Sequence, residues 1–379
     1  MALALMVISL GFAAAATVTN HLNNCKTPLT TPLPDKELFG FWTDTDTNFS
    51  AFNYTTLTTI GAFREVPDTM LCLAHKNDVR VVLANGACPS LTDPGGASCP
   101  ADINNTVAVT SWVNYWVNRT NALGVDGLNL DIEGGIMPEH RDDLTAAVSA
   151  LRLAMREANP LSQLSMDSFC LPTDPTRSLN YDWLSLSTHV DFIFAMCYDM
   201  PFMAKNIYGD NLFHAAWPFP ESPLSQASLP MIQRGLAQHV ELALNVTDKV
   251  VLGLPWYGYE FNCTSNDPAT QCISFDDWQE IKPRPSKEID YKEIMSILPS
   301  ASRKGLDDAS QTKWLEYFIG GDRHQIWYDD ADTLITKYQM AKDFTLRGIG
   351  FWTLDAVSYA TEDDVQTHAM WQALDTFTK

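Results

Sequence analysis

Short apolar runs recur along the chain, separated by longer polar or amphipathic stretches. Eight runs stand out: LFGFW (38–42), TTIGAF (58–63), VRVVLA (79–84), GLNLDIE (127–133), QLSMDSF (163–169), DFIFAMCYD (191–199), VVLGLPW (250–256) and GIGFWT (348–353). The stretch at 142–159 places apolar residues on one helical face and ends at Asn159-Pro160. A strand that alternates with a helix eight times predicts an α/β fold, a (β/α)₈ barrel.

A doubly wound open sheet is the alternative fold. It favours a glycine-rich phosphate turn after the first strand, and this sequence has none there. The gap between the seventh and eighth runs is too long for one helix and contains HQIWYDD (324–330), which mixes apolar and polar residues like a strand. We therefore predict a small α+β insertion at about 260–330, within a single barrel domain at 17–379.

The fourth run interleaves aliphatic and polar residues with a period of two. In a strand, Leu128, Leu130 and Ile132 share one face, whereas Asn129, Asp131 and Glu133 share the other. In a barrel the polar set faces the lumen and becomes more acidic toward the carboxyl end of the strand, where barrel enzymes carry their active sites.

The two acids of this run are the candidate catalytic pair. Asp131 and Glu133 have Cα atoms roughly 6.6 Å apart in a strand. Two close carboxylates do not both ionise cheaply, so one retains a proton and serves as an acid. A purely structural polar cluster is the alternative, but buried carboxylates without a task are costly. A metal site needs further ligands aimed at the same point. The sequence shows no such set, so we predict neither metal nor cofactor.

Composition narrows the range of partners. The chain has 25 Lys and Arg against 46 Asp and Glu, a formal charge of −21. This balance argues against nucleic acid or an anionic membrane surface as a partner. It fits a neutral ligand, or work at low pH where many carboxylates are protonated.

Three features indicate export. Residues 1–16 read as a signal peptide, because an apolar run too short to span a bilayer precedes Ala14-x-Ala16; a buried first helix is the alternative. Six Asn-x-Ser/Thr sequons are candidate glycosylation sites: Asn48, Asn53, Asn104, Asn118, Asn245 and Asn262. There are also eight cysteines, of which no two have metal-ligand spacing.

The cysteine positions predict disulfides. Cys88–Cys99 and Cys263–Cys272 bracket short polar loops, and each is expected to form a local bridge. Cys25–Cys72 follows by elimination and ties down the start of the mature chain. Cys170 and Cys197 fall in predicted strands and are expected to be free core thiols.

The run Asp126-Gly-Leu-Asn129-Leu-Asp131-Ile-Glu133 resembles the DGxDxDxE signature of glycoside hydrolase family 18, the chitinase-like barrels. Further segments resemble the sixth, seventh and closing strands of that family: AMCYD (195–199), GLPWYG (253–258) and YDD…KYQMAKDFTLRGIGFWTLD (328–355). The resemblance covers nearly the whole mature chain. It is greatest to members with Asn in the middle acidic position, where Asn129 stands.

The resemblance implies a role for each site residue. Glu133 is the general acid, Asp131 orients the substrate acetamido group, and Tyr198 hydrogen-bonds its carbonyl. The implied substrate-binding residues are Asn129, Met196, Asp199, Trp256 and Trp352, with Trp352 as the floor of the sugar site. We expect the Asn129 amide to donate to Asp131, which would keep Asp131 ionised over a wide pH range. Asp126 has the opposite parity and is expected to be structural.

The implied activity is a retaining, substrate-assisted glycosidase. It would hydrolyse the GlcNAc-β-1,4-GlcNAc bond of chitobiose-cored oligosaccharides in an exo manner, from the reducing end, as a lysosomal monomer with an acidic pH optimum. The partners are thus N-acetylglucosamine oligosaccharides, with no nucleic acid and no membrane. The alternatives are a secreted endochitinase and a non-catalytic chitin-binding lectin.

Overall fold

In the computed structural model, the described residues are 25–93, 95–96, 102–133, 136–172, 181–200, 224–242, 247–273, 286–361 and 364–379. The predicted signal peptide, Cys99 and Asn245 lie outside these ranges. The described strands are β1 Glu37–Trp42, β2 Thr59–Ala62, β3 Arg80–Asn85, β4 Gly127–Leu130, β5 Gln163–Phe169, β6 Phe192–Met196, β7 Val250–Pro255, β8 Tyr257–Asn262, β9 Lys287–Asp290, β10 Arg303–Asp307, β11 Thr312–Ile319, β12 Asp322–Tyr328 and β13 Gly348–Trp352.

Eight parallel strands close into a barrel in the order β1-β13-β7-β6-β5-β4-β3-β2. These eight correspond to the eight apolar runs, so the predicted (β/α)₈ barrel is confirmed. The described α-helices are α1 Asp68–Lys76, α2 Thr106–Leu123, α3 Arg141–Ala158, α4 Trp183–His189, α5 Leu229–Leu242, α6 Tyr291–Ile297, α7 Ala331–Asp343, α8 Val365–Ala373 and α9 Asp375–Thr378. Helix α3 buries the face that its sequence predicted, including Leu144, Val148 and Leu151.

Aromatic side chains fill the lumen on one side of the barrel. Phe39 and Phe41 of β1 meet Phe194 of β6 with ring centroids 5.4 and 5.0 Å away, and all three are fully buried. Glycines make room for them, because a Cβ at Gly253 or Gly350 would lie 2.2 or 2.4 Å from the Phe194 ring. The aromatic half supports the mouth of the barrel from below, whereas β4 and β5 carry polar side chains.

A second, antiparallel sheet is inserted between β7 and β13. Its strand order is β10-β11-β12-β8-β9, and it runs from Tyr257 to Tyr328. This is the predicted α+β insertion. One face packs on α6, since a Cβ at Gly258 would lie 3.0 Å from Ile294. The opposite face includes Tyr257 and Tyr259.

The disulfides correct one prediction. Bridges join Cys25 to Cys72 and Cys263 to Cys272, as predicted. Cys88 is disulfide-bonded, but its predicted partner Cys99 lies outside the described residues. The expectation of free thiols at Cys170 and Cys197 is wrong, because these two are bonded to each other with Cα atoms 4.5 Å apart. They directly follow a register pair of adjacent strands, Phe169 of β5 and Met196 of β6, so they emerge side by side.

The surface leaves most of the sequons accessible. Asn48, Asn104, Asn118 and Asn262 are exposed, and Asn53 is half-buried. Glycosylation of these residues stays a prediction. Among the described residues, no helix has both the length and the apolarity that crossing a membrane requires.

Candidate active site

Strand β4 leads from the barrel interior to its mouth. Leu128, Leu130 and Ile132 are buried among the apolar side chains of the core. On the alternate positions, Asn129 is fully buried, Asp131 is half-buried and Glu133 is exposed. The polar face therefore opens progressively toward solvent, and Glu133 is the member most accessible to a ligand.

The amide of Asn129 bonds to the next strand rather than to its own. Its Nδ2 donates to Oδ1 of Asp167 at 2.7 Å and to Oγ of Ser165 at 3.1 Å. The expected donation to Asp131 is therefore wrong. The cause is register: Asn129 pairs with Ser165 of β5, and Asp167 is the next residue of that strand on the same face.

Asp167 is a third acid in the lumen, and our sequence reasoning missed it. It is buried, and its pKa lies well above the ordinary value, mainly because of burial and then because of the nearby Asp131 charge; the Asn129 bond offsets this only in part. A signal was present in QLSMDSF, where Gln163, Ser165 and Asp167 alternate with apolar residues as the polar set of β4 does.

Asp131 and Glu133 share a proton at acid pH. Burial, the Glu133 charge and a hydrogen bond with Glu133 raise the pKa of Asp131 to about 7. Below that pH the pair carries at least one proton. A proton donor thus stands at the mouth of the barrel with a second carboxyl group immediately behind it, an arrangement suited to protonating the oxygen of a bound substrate.

Three buried polar atoms around these acids have no hydrogen-bond partner in the described part of the chain. They are Asp131 Oδ1, Asn129 Oδ1 and the Tyr198 hydroxyl. Such atoms cost about 1–3 kcal/mol each when left unpaired. Burial first, and then the charges of Asp167 and Asp131, raise the pKa of Tyr198, so its phenol stays protonated and able to donate. The cluster fits a ligand that brings both a donor and an acceptor.

Trp352 presents an aromatic platform beside this cluster. It is half-buried at the end of β13, with its ring centroid 5.3 Å from those of Phe41 and Phe63 and 6.5 Å from that of Tyr198. The lumen aromatics hold the indole in place. Its placement suits the apolar face of a sugar ring.

Asp199 links the barrel to the insertion. It follows Tyr198 directly, with a φ of 54°, and its Oδ1 accepts hydrogen bonds from the hydroxyls of Tyr257 at 2.5 Å and Tyr259 at 2.7 Å. These two tyrosines were not identified from the sequence. Met196, three residues earlier, is buried at the end of β6.

The structure corrects the prediction for Trp256. It was expected to bind substrate, but it is fully buried, its ring stacks on Phe351 at 3.7 Å, and its indole N–H donates to the Tyr338 hydroxyl at 3.3 Å. The parity of β7 explains this: Gly253 faces the lumen, so Trp256 points outward to the helices. Trp256 therefore contributes to packing.

Two further residues support the strand that carries the acids. The Tyr181 hydroxyl donates to the Ile132 carbonyl at 3.0 Å, which fixes the backbone between Asp131 and Glu133. Asp126 lies at the other end of the strand and accepts bonds from the backbone N–H groups of Leu29 and Val81. Its placement suits a structural role.

The described ranges contain no group of three His, Cys, Asp or Glu side chains placed to hold a metal ion. The functional groups present are a paired carboxyl donor, a second carboxyl group, a phenol and an indole face. Together they are able to protonate a leaving oxygen and to stabilise developing positive charge beside it.

Comparison with known proteins places this geometry in a family. A family model described as "Glycosyl hydrolases family 18" matches residues 99–356. Probable di-N-acetylchitobiase 2 of Dictyostelium discoideum is 28% identical over 363 residues, covering 91% of this chain and 86% of the relative. The di-N-acetylchitobiase of Homo sapiens is 26% identical over 352 residues, covering 90% and 84%.

Solved structures agree on the fold. A chitinase from Chromobacterium violaceum superposes with a TM-score of 0.66 at 15% identity, over 90% of this chain and 99% of its own. The class V chitinase of Nicotiana tobaccum also gives a TM-score of 0.66, at 17% identity over 91% of this chain and 99% of its own.

Proposed function

Because this chain belongs to the glycosyl hydrolases of family 18, and is thus a glycoside hydrolase, we propose that it cleaves the GlcNAc-β-1,4-GlcNAc bond of chitobiose-cored oligosaccharides with retention of configuration. The observation that carries this proposal is the proton-sharing pair of Asp131 and Glu133 at the mouth of the barrel, beside the Tyr198 hydroxyl, which has no hydrogen-bond partner among the described residues. The same pair serves as the acid and the charge stabiliser.

The chemistry proceeds by substrate assistance, an exception to the usual pair of catalytic carboxylates. Glu133 protonates the glycosidic oxygen as the C1–O bond breaks, and the acetamido oxygen of the same sugar bonds to C1, giving an oxazolinium ion. Asp131 accepts the acetamido N–H and offsets the positive charge. Tyr198 donates to the acetamido oxygen, and Trp352 stacks under the sugar ring. Glu133 then takes a proton from the water that attacks C1 and restores the acid.

The substrate class rests on the relatives. The curated proteins from Dictyostelium, human and mouse that match about 90% of this chain are named as di-N-acetylchitobiases or probable ones. From the resemblance of the sequence we further propose exo action from the reducing end, with release of single GlcNAc units. The three described disulfides fit an oxidising compartment, and the resemblance favours the lysosome within that class.

Product analysis tests the assignment. Chitopentaose carrying ¹⁸O at its reducing end is incubated with the protein, and early products are weighed by mass spectrometry. Release of single labelled GlcNAc as the first product is expected. Labelled and unlabelled fragments from internal cuts indicate an endochitinase instead, and binding without any hydrolysis indicates a lectin. Proton NMR of the unlabelled reaction is expected to show the β-anomer first, as retention requires.

A further inference from the structure

A groove of about 630 Å³ lies between the connection from β1 to β2 and the C-terminal helices. One wall is formed by residues between 48 and 56, and the other by residues between 358 and 375. Two of the lining residues, Asn48 and Asn53, are the asparagines of sequons. The volume is in the range of protein sites that hold a small organic ligand or a short saccharide.

The groove lies on the outer side of the barrel, away from the lumen. Trp371 of α8 lines it and is buried, with its ring edge-on to that of Trp256 at 5.3 Å and to that of Phe351 at 5.7 Å. Phe351 points outward like Trp256, because its neighbour Gly350 faces the lumen. None of the described residues that line the groove belongs to the candidate active site.

The sequon side chains in the wall have a defined orientation. The Thr55 hydroxyl donates to Asn53 Oδ1 at 2.6 Å, and the Ser50 hydroxyl donates to Asn48 Oδ1 at 2.5 Å. The amide nitrogen, to which a glycan bonds, lies on the opposite side of each amide group. The backbone at Asn53 is held as well, because its carbonyl accepts from the N–H of Thr56 at 3.1 Å. A sugar on Asn53 therefore starts from a fixed point.

The lining suits an uncharged saccharide. Its carboxylates have local partners: Asp364 accepts from the Thr367 N–H at 2.8 Å and caps α8, and Asp375 pairs with Lys379 at 2.6 Å. Aromatic side chains beside polar ones are the usual surroundings of a sugar ring. The groove offers this combination in Trp371, Tyr359, Ser358, Thr361, His368 and Gln372.

We propose that the groove holds the first sugars of an N-linked glycan on Asn53, which joins the β1–β2 connection to the C-terminal helices. Asn53 is half-buried and follows Phe52, whose ring lies 5.2 Å from that of Tyr359 in the opposite wall, so its glycan begins inside the groove. Asn48 is exposed, and a glycan there extends into solvent. Covalent attachment keeps the sugar at a high local concentration, so weak contacts suffice to hold it.

Enzymatic release of the glycans tests the proposal. The protein is produced in a eukaryotic host that adds N-glycans and is treated, while folded, with peptide N-glycosidase, which converts each glycosylated asparagine to aspartate. Mass spectrometry of peptides follows each site with time. Release from Asn53 is expected to be about tenfold or more slower than from Asn104 and Asn118, exposed sequons outside the groove, because the glycan must first leave it. Denatured protein is expected to show equal rates.

Filling the groove separates its effect from other obstacles to the enzyme. In Ala360→Trp a bulky ring takes the place of the sugars from the wall opposite Asn53, and release from Asn53 is expected to rise to the rate of the exposed sites. Ala146→Trp, at an exposed alanine of α3 outside the groove, is the matched control and is expected to keep the slow release. Gln372→Trp, exposed on α8 in the same lining, serves as a second filling variant.

Melting temperatures give a readout that needs no filled groove. Asn53→Gln from the glycosylating host is expected to melt about 2 °C or more below wild type, whereas Asn104→Gln from that host is expected to match it. From a host that adds no glycans, Asn53→Gln and wild type are expected to melt together. An unmodified Asn53, release from it at the rate of the exposed sites, slow release in a folded filling variant, or no glycan-dependent change in melting overturns the proposal and leaves the groove to another occupant.

Discussion

The position of one proton governs the chemistry at the residue scale. Asp131 is held behind Glu133, and its pKa is raised to about 7 by burial, by the Glu133 charge and by the bond between them. Asn129 does not lower the pKa of Asp131, because its amide donates to Asp167 and Ser165 instead. The pair therefore retains a proton throughout the acid range, and this is what a general acid that works at acid pH requires.

The pH–rate profile follows from that pKa. Above about pH 7 both carboxyl groups ionise and no proton remains for the leaving oxygen. We expect kcat/KM on N,N′-diacetylchitobiose to be high at acid pH and to fall about tenfold per pH unit on the alkaline side. Steady-state kinetics from acid to alkaline pH measure this. Rising activity into the alkaline range would contradict it.

At the residue scale the sequence predicts on which face of a strand a side chain lies, but not with which group it forms a hydrogen bond. The period of two places Asn129, Asp131 and Glu133 on one face, and the structure has them there. Which neighbour Asn129 bonds to depends on the register between β4 and β5, which no local pattern encodes. The prediction that Trp256 binds substrate was wrong for a related reason. The alternation of side chains along β7 could be predicted from the sequence, but the residue at which that strand starts could not.

At the element scale, the Cys170–Cys197 bridge joins the ends of β5 and β6. Asp167 lies three residues before Cys170, and Tyr198 directly follows Cys197. The bridge therefore fixes the two strand ends that place these polar groups opposite β4. This pairing was missed because each cysteine was considered within its own strand, whereas the bond is a consequence of strand adjacency.

Removal of that bridge is expected to affect both stability and activity. The double variant Cys170→Ala, Cys197→Ala should lower the free energy of unfolding by about 3 kcal/mol, since the bridge closes a long loop, and should lower kcat as Tyr198 loses its fixed position. Urea denaturation and turnover measure the two effects. The matched control is Cys263→Ala with Cys272→Ala, expected to lose stability while keeping turnover of the disaccharide. Equal kcat in both double variants would argue against a positioning role.

The barrel strands could be predicted because each is an apolar run of strand length bounded by polar segments. The insertion was predicted only as a region. Strand β10 carries Arg303 and Lys304 on exposed positions, so no hydrophobic run marks it. Strand β11 contains the largely apolar run WLEYFI (314–319), which we did not identify as a strand. The register between these strands brings distant residues together and was therefore not predictable from the sequence.

At the scale of the whole molecule, several ionisable groups favour acid pH. Asp131, Asp167, Glu37 and Asp329 have raised pKa values, in each case chiefly because of burial. His75 also has a raised pKa: burial opposes this, but its bond to Asp126 at 2.9 Å and that carboxylate's charge outweigh it. His75 bonds to the Cys25 carbonyl as well, so it ties the start of the described chain to the barrel.

Stability is therefore expected to fall as the pH rises. A group whose pKa is raised by folding stabilises the fold below its ordinary pKa, and this contribution is lost as the pH rises through the folded value; for Asp131 the window runs from 3.8 to about 7. Asp191 has the opposite effect on the pH dependence of stability. Burial favours its neutral form, but Arg152 and Arg156 lower its pKa. Its contribution to stability is therefore lost only in strong acid.

Urea denaturation at pH 5 and pH 8 measures this dependence. We expect the free energy of unfolding to be higher at pH 5 by about 2 kcal/mol or more. The variant His75→Phe should show a smaller difference, because it lacks the ion pair with Asp126. Greater stability at pH 8 than at pH 5 in the wild-type protein would contradict the assignment of these buried acids.

Turnover of N,N′-diacetylchitobiose by Glu133→Gln tests the central claim most directly. The amide has the shape of the acid but no proton to give, so kcat is predicted to fall about a thousandfold or more, with the melting temperature and the binding of the disaccharide preserved. Glu139→Gln is the matched control, an exposed acid just downstream, and is predicted to match wild type. Turnover by Glu133→Gln at a rate near that of the wild type would contradict the account.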